Sequence, residues 1–280
     1  MKPLVVVDGD SFAHRSYHAI PKTIRRADGG PAGLLVGVGN QLLRLWEEEA
    51  PRAIVVCWDT LTEPTYRHVE LPVYQSGREF DRELLEQLDL APALVEAMGF
   101  AVAKGAGYEA DDFVAAAVAA EEARGGVALV ASGDRDMFQL ASERTTILQP
   151  QRGGGALLRV GPAEVRERYG VEPGQVPDFI ALRGDPSDRI PGARGVGEKT
   201  AAALLRQYGS LEAALAAGRF AGEADALRLY RRVATMDTQA PLPPLHDQRP
   251  TWARAAALAS EWGLGRLALR LRELEAGSSS

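Results

Sequence analysis

The 280-residue chain has one cysteine and four histidines, and only four of its 32 basic residues are lysines: Lys2, Lys22, Lys104 and Lys199. The lone thiol, Cys57, cannot close an internal disulfide and sits in an apolar run, so it reads as core. Without a His or Cys cluster there is no framework for a zinc site. No apolar run approaches the roughly 20 residues that span a bilayer, and no membrane partner is expected. The N-terminal apolar run Leu4–Val7 stops at Asp8 and lacks a basic flank, a longer apolar stretch and a small-residue cleavage site, so it does not read as a secretory leader. A cytoplasmic location is the resulting expectation.

Positive charge is also scarce: 32 basic against 38 acidic residues leave a formal net charge of −6. That balance alone argues against a nucleic-acid partner. The distribution argues otherwise, because Asp8, Asp59, Glu109, Asp111, Asp112, Asp134, Asp136, Asp185 and Asp188 nearly all fall at the ends of expected elements. Divalent cations facing those carboxylates would cancel much of the deficit. Arginine suits phosphate because its planar fork donates two parallel hydrogen bonds, although an Arg-rich, Lys-poor composition also follows from codon bias.

What the chain does have is 46% hydrophobic residues in strand and helix patterns, enough for a core without staples. Leu4–Val7, Ala53–Trp58, Phe100–Ala103 and Val127–Ala131 read as buried strands. Helices are expected over about Ala32–Glu49 and Glu109–Arg124. This is the rhythm of an α/β fold, a parallel sheet with helices on both faces. Residues 1–160 form the expected core, with a charged stretch at about 60–90 too long for an ordinary connection and read as a lid or loop. From 161 to 276 the chain reads as a helical subdomain, with a Pro-rich linker or wrapping loop at Gln239–Pro250 and one last helix over Trp252–Glu275. Residues 277–280 read as a flexible tail.

Three acidic groups carry the chemistry. In Gly107-Tyr108-Glu109-Ala110-Asp111-Asp112, helical spacing puts Glu109 and Asp112 on one face and turns Asp111 away by about 100°. Gly133-Asp134-Arg135-Asp136 follows a strand, and Gly184-Asp185-Pro186-Ser187-Asp188 places two acids three apart. One Asp after a strand is usually a cap or turn residue, but four at strand ends occupy the place where open α/β sheets bind ligands. Oxygen ligands without His or Cys point to Mg²⁺ or Mn²⁺, and two such ions in a carboxylate cage suit phosphodiester cleavage. A fourth element, Ile190 to Thr200, sets Gly192, Gly195 and Gly197 with Arg194 and Lys199 ahead of a helix at Ala201. It lacks the spacing of a nucleotide-binding P-loop and reads as a grip on DNA backbone.

These segments, together with Val7-Asp8-Gly9, Trp58-Asp59 and Tyr66-Arg67-His68, resemble the 5′→3′ exonuclease and flap endonuclease family, which includes the N-terminal nuclease domain of bacterial DNA polymerase I. They occur in the family's order over about three quarters of the chain. With no polymerase segment following, the chain looks like the free-standing form. The resemblance implies a PIN-like core, a helical arch at about 60–90, and a helix–two-turn–helix DNA-binding element at about 176–208. It implies cleavage of 5′ flaps, 5′ overhangs or nicked DNA in replication and repair, by a nucleoid-associated monomer working with a separate DNA polymerase. One metal would be served by Asp8, Asp59, Glu109, Asp111 and Asp134. The other would involve Asp136, Asp185 and Asp188, with Asp112 bridging or acting through water. A K⁺ ion would sit on the Gly192–Gly197 stretch, with Lys199 and Thr200 beside it.

The sequence departs from the family at the arch. The family's Tyr-Lys-x-x-Arg motif is here Tyr74-Gln75-Ser76-Gly77-Arg78, so a neutral amide replaces an ammonium that steers the scissile phosphate. Arg78 remains, and Arg15 or Arg67 could compensate. Activity is therefore expected, weakened or with altered substrate preference. Tyr17 could stack on a terminal base. The alternatives are a flap- or junction-binding protein with weakened catalysis and an RNA-cleaving nuclease with a related acidic core. A phosphatase is disfavoured, because Asp8-Gly9-Asp10 runs into Ser11 without that motif's usual companions.

Overall fold

The computed structural model describes residues 1–77, 79–151 and 155–278. From the N-terminus, β1 (Leu4–Asp8) leads into α1 (Gly9–Ala19), α2 (Gly33–Glu49) and β2 (Ala53–Cys57). Next come a short α3 (Tyr66–Glu70), α4 (Arg82–Ala97), β3 (Ala101–Ala103), α5 (Ala110–Ala123) and β4 (Ala128–Ala131). The strands β5 (Thr145–Gln149) and β6 (Leu158–Val160) complete a sheet of order β3-β2-β1-β4-β5-β6. β1 to β5 are parallel, and only the edge strand β6 is antiparallel.

The central strands are apolar throughout because both faces of the sheet are covered. Every residue of β1, β2 and β4 is buried. Alternate side chains enter opposite cores. Leu4 and Val6 pack with Phe113, Val114 and Ala117 of α5, and Val5 and Val7 pack with Phe12, Val38, Leu42 and Leu94 of α1, α2 and α4. The chain builds outward from β1 in both directions, so β1 and β4 flank the switch point at which open α/β sheets bind ligands.

On the α5 face lie α6 (Pro162–Tyr169), α7 (Val176–Arg183), α8 (Glu198–Tyr208), α9 (Leu211–Ala216) and α10 (Ala224–Ala234). Buried Asp178 ties three of them together, accepting from the Leu211 amide at 3.0 Å and pairing with Arg231. The Pro-rich segment does wrap the core: the Gln248 side chain brackets the backbone of Ile54, and Arg52 donates to the Leu245 carbonyl at 2.8 Å.

Four expectations change. The last helix is two helices, α11 (Trp252–Glu261) and α12 (Gly265–Ser278), broken where Gly263 takes a φ of +74° against Ala27. The helix runs into the expected tail through Ser278, and Ser279 and Ser280 lie outside the described residues. This pair also leaves the helical subdomain: Trp252, Ala255, Leu267 and Leu271 join the opposite core with α2 and α4. Finally, the stretch 60–90 is not all arch, because α4 begins at Arg82 under an Asp81 cap. Its charges obscured an inward stripe of Leu84, Leu88, Ala91 and Val95 at helical spacing.

Trp252 stands edge-on to Phe100 and Trp46, with ring centroids 5.8 and 6.2 Å away. Trp252→Ala is expected to cost about 3–5 kcal/mol, the usual range for deleting a buried aromatic. Chemical denaturation would show it as a lowered midpoint for the whole core. A change confined to the C-terminal helices would contradict this packing.

Candidate active site

A cleft of about 700 Å³ opens over the switch point, lined by Asp8, Asp10, Asp59, Glu109, Asp111, Asp134 and Asp188. Asp8 ends β1 and caps α1, accepting the Ser11 amide at 3.0 Å through Oδ1 and the Ser132 hydroxyl at 2.6 Å through Oδ2. Burial raises its pKa to about 7, with Asp134 and Asp59 adding repulsion. Asp59 follows β2, and its Oδ1 accepts the Ala110 amide of α5 at 2.7 Å. Ser132 also receives the Asp134 amide at 2.9 Å, which anchors the turn after β4.

Glu109 and Asp111 face the cleft, whereas Asp112 does not. This reverses the helical-wheel expectation. Glu109 is the N-cap of α5 with an extended backbone, φ −102° and ψ 165°, so helical spacing cannot be counted from it. Its carboxylate accepts from the Thr65 hydroxyl at 3.0 Å and the Tyr74 hydroxyl at 2.9 Å. Burial again moves its pKa up to about 7. Asp111 is pushed well up, first by burial and then by Asp134, Asp8 and Glu109.

Asp112 is fully buried and engaged by a two-pronged pair with Arg67 at 2.7 and 2.7 Å. It also accepts the Glu109 and Asp237 amides. Neither a bridging role for Asp112 nor a DNA contact for Arg67 fits these positions, because Arg67 is 2% exposed and also donates to the Val233 carbonyl. Arg15 likewise leaves the cleft and donates to the Gln151 carbonyl. Arg78 lies outside the described residues.

A second acidic group adjoins the first. Burial raises the pKa of Asp136 strongly, and repulsion from Asp134, Asp185 and Asp188 raises it further. Asp185 is turned inward to the Ser187 amide at 2.8 Å and to Arg183 at 3.2 Å. Gln75 joins the two groups: its amide donates to the Tyr74 hydroxyl at 3.0 Å and to Asp188 at 3.1 Å. Its backbone is left-handed, φ +48°, and its N–H donates to the Asp188 carbonyl.

The cleft's outer wall holds Tyr17 with His14, His18, Lys22 and Phe80. Tyr17 is 6% exposed, hydrogen-bonds Asp81 and lies under the Lys22 ammonium. Of this wall sequence reasoning named Tyr17 alone; it missed Ser132 and Thr65, and it weighed Asp10 only against a phosphatase motif. Only Asp10 had a visible signal, its place two residues after Asp8.

Beyond Asp188 the chain turns into the loop between α7 and α8. Gly192 is required there: its φ is +75°, and a Cβ would come within 2.4 Å of the Gly184 nitrogen. Gly195 and Gly197 face open space, and Arg194, Lys199 and Thr200 are exposed. Lys199 and Thr200 share a second cleft with Arg168 and Arg206.

Among the described residues, no three Asp, Glu, His or Cys side chains already enclose a single point as a finished ligand cage. The donor chemistry nevertheless fits hard divalent cations, since the cleft offers carboxylate oxygens whose crowding such ions would relieve. Between about pH 4 and pH 7 the folded protein holds protons on Asp8 and Glu109 that an unfolded chain has released, so stability falls as pH rises through that window. Thermal unfolding of metal-free protein should show this fall. Millimolar Mg²⁺ should raise the midpoint more at about pH 8 than at about pH 5. Equal effects at both would contradict the assignment.

Two family models match consecutive parts of the chain: "5'-3' exonuclease, N-terminal resolvase-like domain" over residues 3–170 and "5'-3' exonuclease, C-terminal SAM fold" over 171–254. A 5'-3' exonuclease of Streptomyces coelicolor is 33% identical, covering 93% of this chain and 96% of its own. DNA polymerase I of Mycobacterium tuberculosis is 40% identical over 210 residues, 74% of this chain but 23% of that protein, so the match spans about a quarter of the polymerase's length. In fold the chain is similar to the T5 5'-exonuclease with bound divalent zinc, at TM-score 0.71 and 18% identity over 97% of this chain and 99% of that one. It is also similar to the catalytic core of Rad2 in complex with DNA, at TM-score 0.61 and 12% identity over 96% and 92%. The chain belongs to the 5′-3′ exonuclease family.

Proposed function

We propose that this protein is a structure-specific DNA 5′-nuclease that hydrolyses phosphodiesters at 5′ flaps, overhangs and nicks, with Mg²⁺ or Mn²⁺ as its ions. The observation that carries this reading is the convergence of Asp8, Asp59, Glu109, Asp111, Asp134 and Asp188 in one cleft, continuous through Asp188 with an exposed glycine-rich loop. Asp8, Asp59, Glu109, Asp111 and Asp134 would hold one ion, and Asp136, Asp185 and Asp188 the other. Bound there, such ions lower the pKa of an attacking water and offset charge on the leaving oxygen.

The remaining work falls to the chain's own groups. Ser132 and Ser11 hold Asp8 in place, and Thr65 and Tyr74 do the same for Glu109. Gln75 keeps Asp188 against the Tyr74–Glu109 pair and presents a neutral donor beside the scissile phosphate. Tyr17, with the histidines beside it, forms the wall on which a terminal nucleotide would rest. The backbone of Gly192, Gly195 and Gly197, with Arg194, Lys199 and Thr200, would grip duplex phosphate without reading sequence. A K⁺ ion on the carbonyls of this loop suits that grip.

In this division residues 1–160 with α11 and α12 form the nuclease core, and the intervening helices bind DNA. This reading places the protein as a monomer at the nucleoid, with a DNA polymerase as its functional partner.

The deciding experiment is cleavage of a labelled 5′-flap duplex with EDTA, Mg²⁺ or Mn²⁺. Cuts near the flap junction should require the ions, and Asp134→Asn should lower the rate about a hundredfold or more, the scale for removing charge stabilisation at a reacting centre. Tight binding without cleavage under either ion would instead leave a DNA-binding protein. In the same assay Gln75→Lys should speed cleavage about tenfold, since an ammonium stabilises developing phosphate charge better than an amide. No gain would show that the amide's bridging role outweighs its missing charge.

A further inference from the structure

We propose that Asp10 is a positioning residue for Asp59, its carboxylate accepting the Asp59 backbone N–H and so fixing the turn from which Asp59 reaches α5. The need arises from how the sheet ends. The last paired residues of β1 and β2 are Asp8 and Cys57. The next residue, Trp58, still donates to the Ala103 carbonyl on the β3 side at 2.9 Å. The following N–H, that of Asp59, points back toward β1. There the neighbouring chain has already coiled into α1 and offers no strand carbonyl. An N–H left without a partner there would be costly.

Asp10 fills the gap. It lies in the first turn of α1, and its Oδ2 accepts the Asp59 N–H at 2.7 Å. Gly9 makes the approach close enough, because a Cβ at that position would sit 2.6 Å from the Trp58 ring and 2.7 Å from the Cys57 carbonyl. The contact continues outward: Asp59 Oδ1 accepts the Ala110 N–H at 2.7 Å, one of the unpaired donors in the first turn of α5. Two consecutive hydrogen bonds therefore join α1, the end of β2 and α5. These are the segments that carry Asp8, Asp59, and the Glu109 and Asp111 pair. A further carboxylate in an acidic cleft is tolerated because it supplies an acceptor that the topology removed.

The inference rests on the nuclease reading for its kinetic consequence but not for its structural one, and the experiment separates them. Amide hydrogen exchange is measured by NMR on metal-free protein, and flap cleavage is measured on the same variants with Mg²⁺. Asp10→Ala should accelerate exchange at Asp59 about tenfold while Val5–Val7 stay protected. It should also lower kcat about tenfold with little change in KM, the scale of losing a group that orients a ligand. Asp10→Asn keeps an acceptor oxygen and should restore both protection and most of kcat. Asp10→Ser, too short to reach the amide, replaces Asp10→Ala should that variant not fold.

Unchanged Asp59 exchange in Asp10→Ala or Asp10→Ser overturns the proposal, whether or not the protein cleaves DNA. If Asp10→Asn retains amide protection yet falls as low as Asp10→Ala in kcat, Asp10 acts directly on the ions and the positioning role is overturned. A wild-type protein that cleaves nothing would defeat the nuclease reading and leave the exchange result to decide this one.

Discussion

Like charges gathered out of water repel one another, and the rest of this structure is arranged around holding them together. Asp8, Asp10, Glu109, Asp111 and Asp136 are all shifted upward by burial. Each would relax by swinging toward solvent if nothing restrained it. Asp8, Asp59 and Glu109 are held mainly by neutral donors, the Ser11 and Ala110 amides and the Ser132, Thr65 and Tyr74 hydroxyls, with the Arg67 guanidinium also 3.3 Å from Glu109. Such donors orient a carboxylate without cancelling its charge, which leaves that charge available to a cation.

One carboxylate is treated differently. Asp112 is neutralised outright by Arg67, and the pair is sealed between α3, α5 and the end of α10. Removing either partner would strand a buried charge, which makes the pair a strong lock on geometry even where its net contribution to stability is small. Through it, the helix that presents Glu109 and Asp111 is tied to the helices expected to hold DNA. Gln75 makes the matching tie on the open side, between Tyr74 and Asp188. The cleft is thus bounded by two bridges, one charged and buried, the other neutral and half-exposed.

Much of this was legible in the residues. The apolar runs Leu4–Val7, Ala53–Trp58 and Val127–Ala131 announced central parallel strands, since only strands covered on both faces lack polar positions. The acids that follow those runs, Asp8, Asp59 and Asp134, were recognisable as a site because strand ends of such sheets converge. The glycines at 192, 195 and 197 marked a loop of unusual backbone, and two of the three do take positive φ. Where the reading failed, local pattern was ambiguous. α4 hid its buried stripe beneath charge, and α11 with α12 read as one amphipathic helix belonging to its neighbours in sequence.

The sequence by itself determined the alternation of strands and helices and the stock of carboxylates at the strand ends, because hydrophobic period and chain order are properties of the chain alone. Only the tertiary structure decided which carboxylates face the cleft. Asp111 rather than Asp112 does so because Glu109 caps α5 in an extended conformation, and Arg67, 45 residues away in sequence, claims Asp112. Asp10 was as visible as Asp8, but its use depends on an N–H exposed where β1 turns into α1 while β2 runs on. Such partners are chosen by where distant segments meet, and that information is absent from spacing.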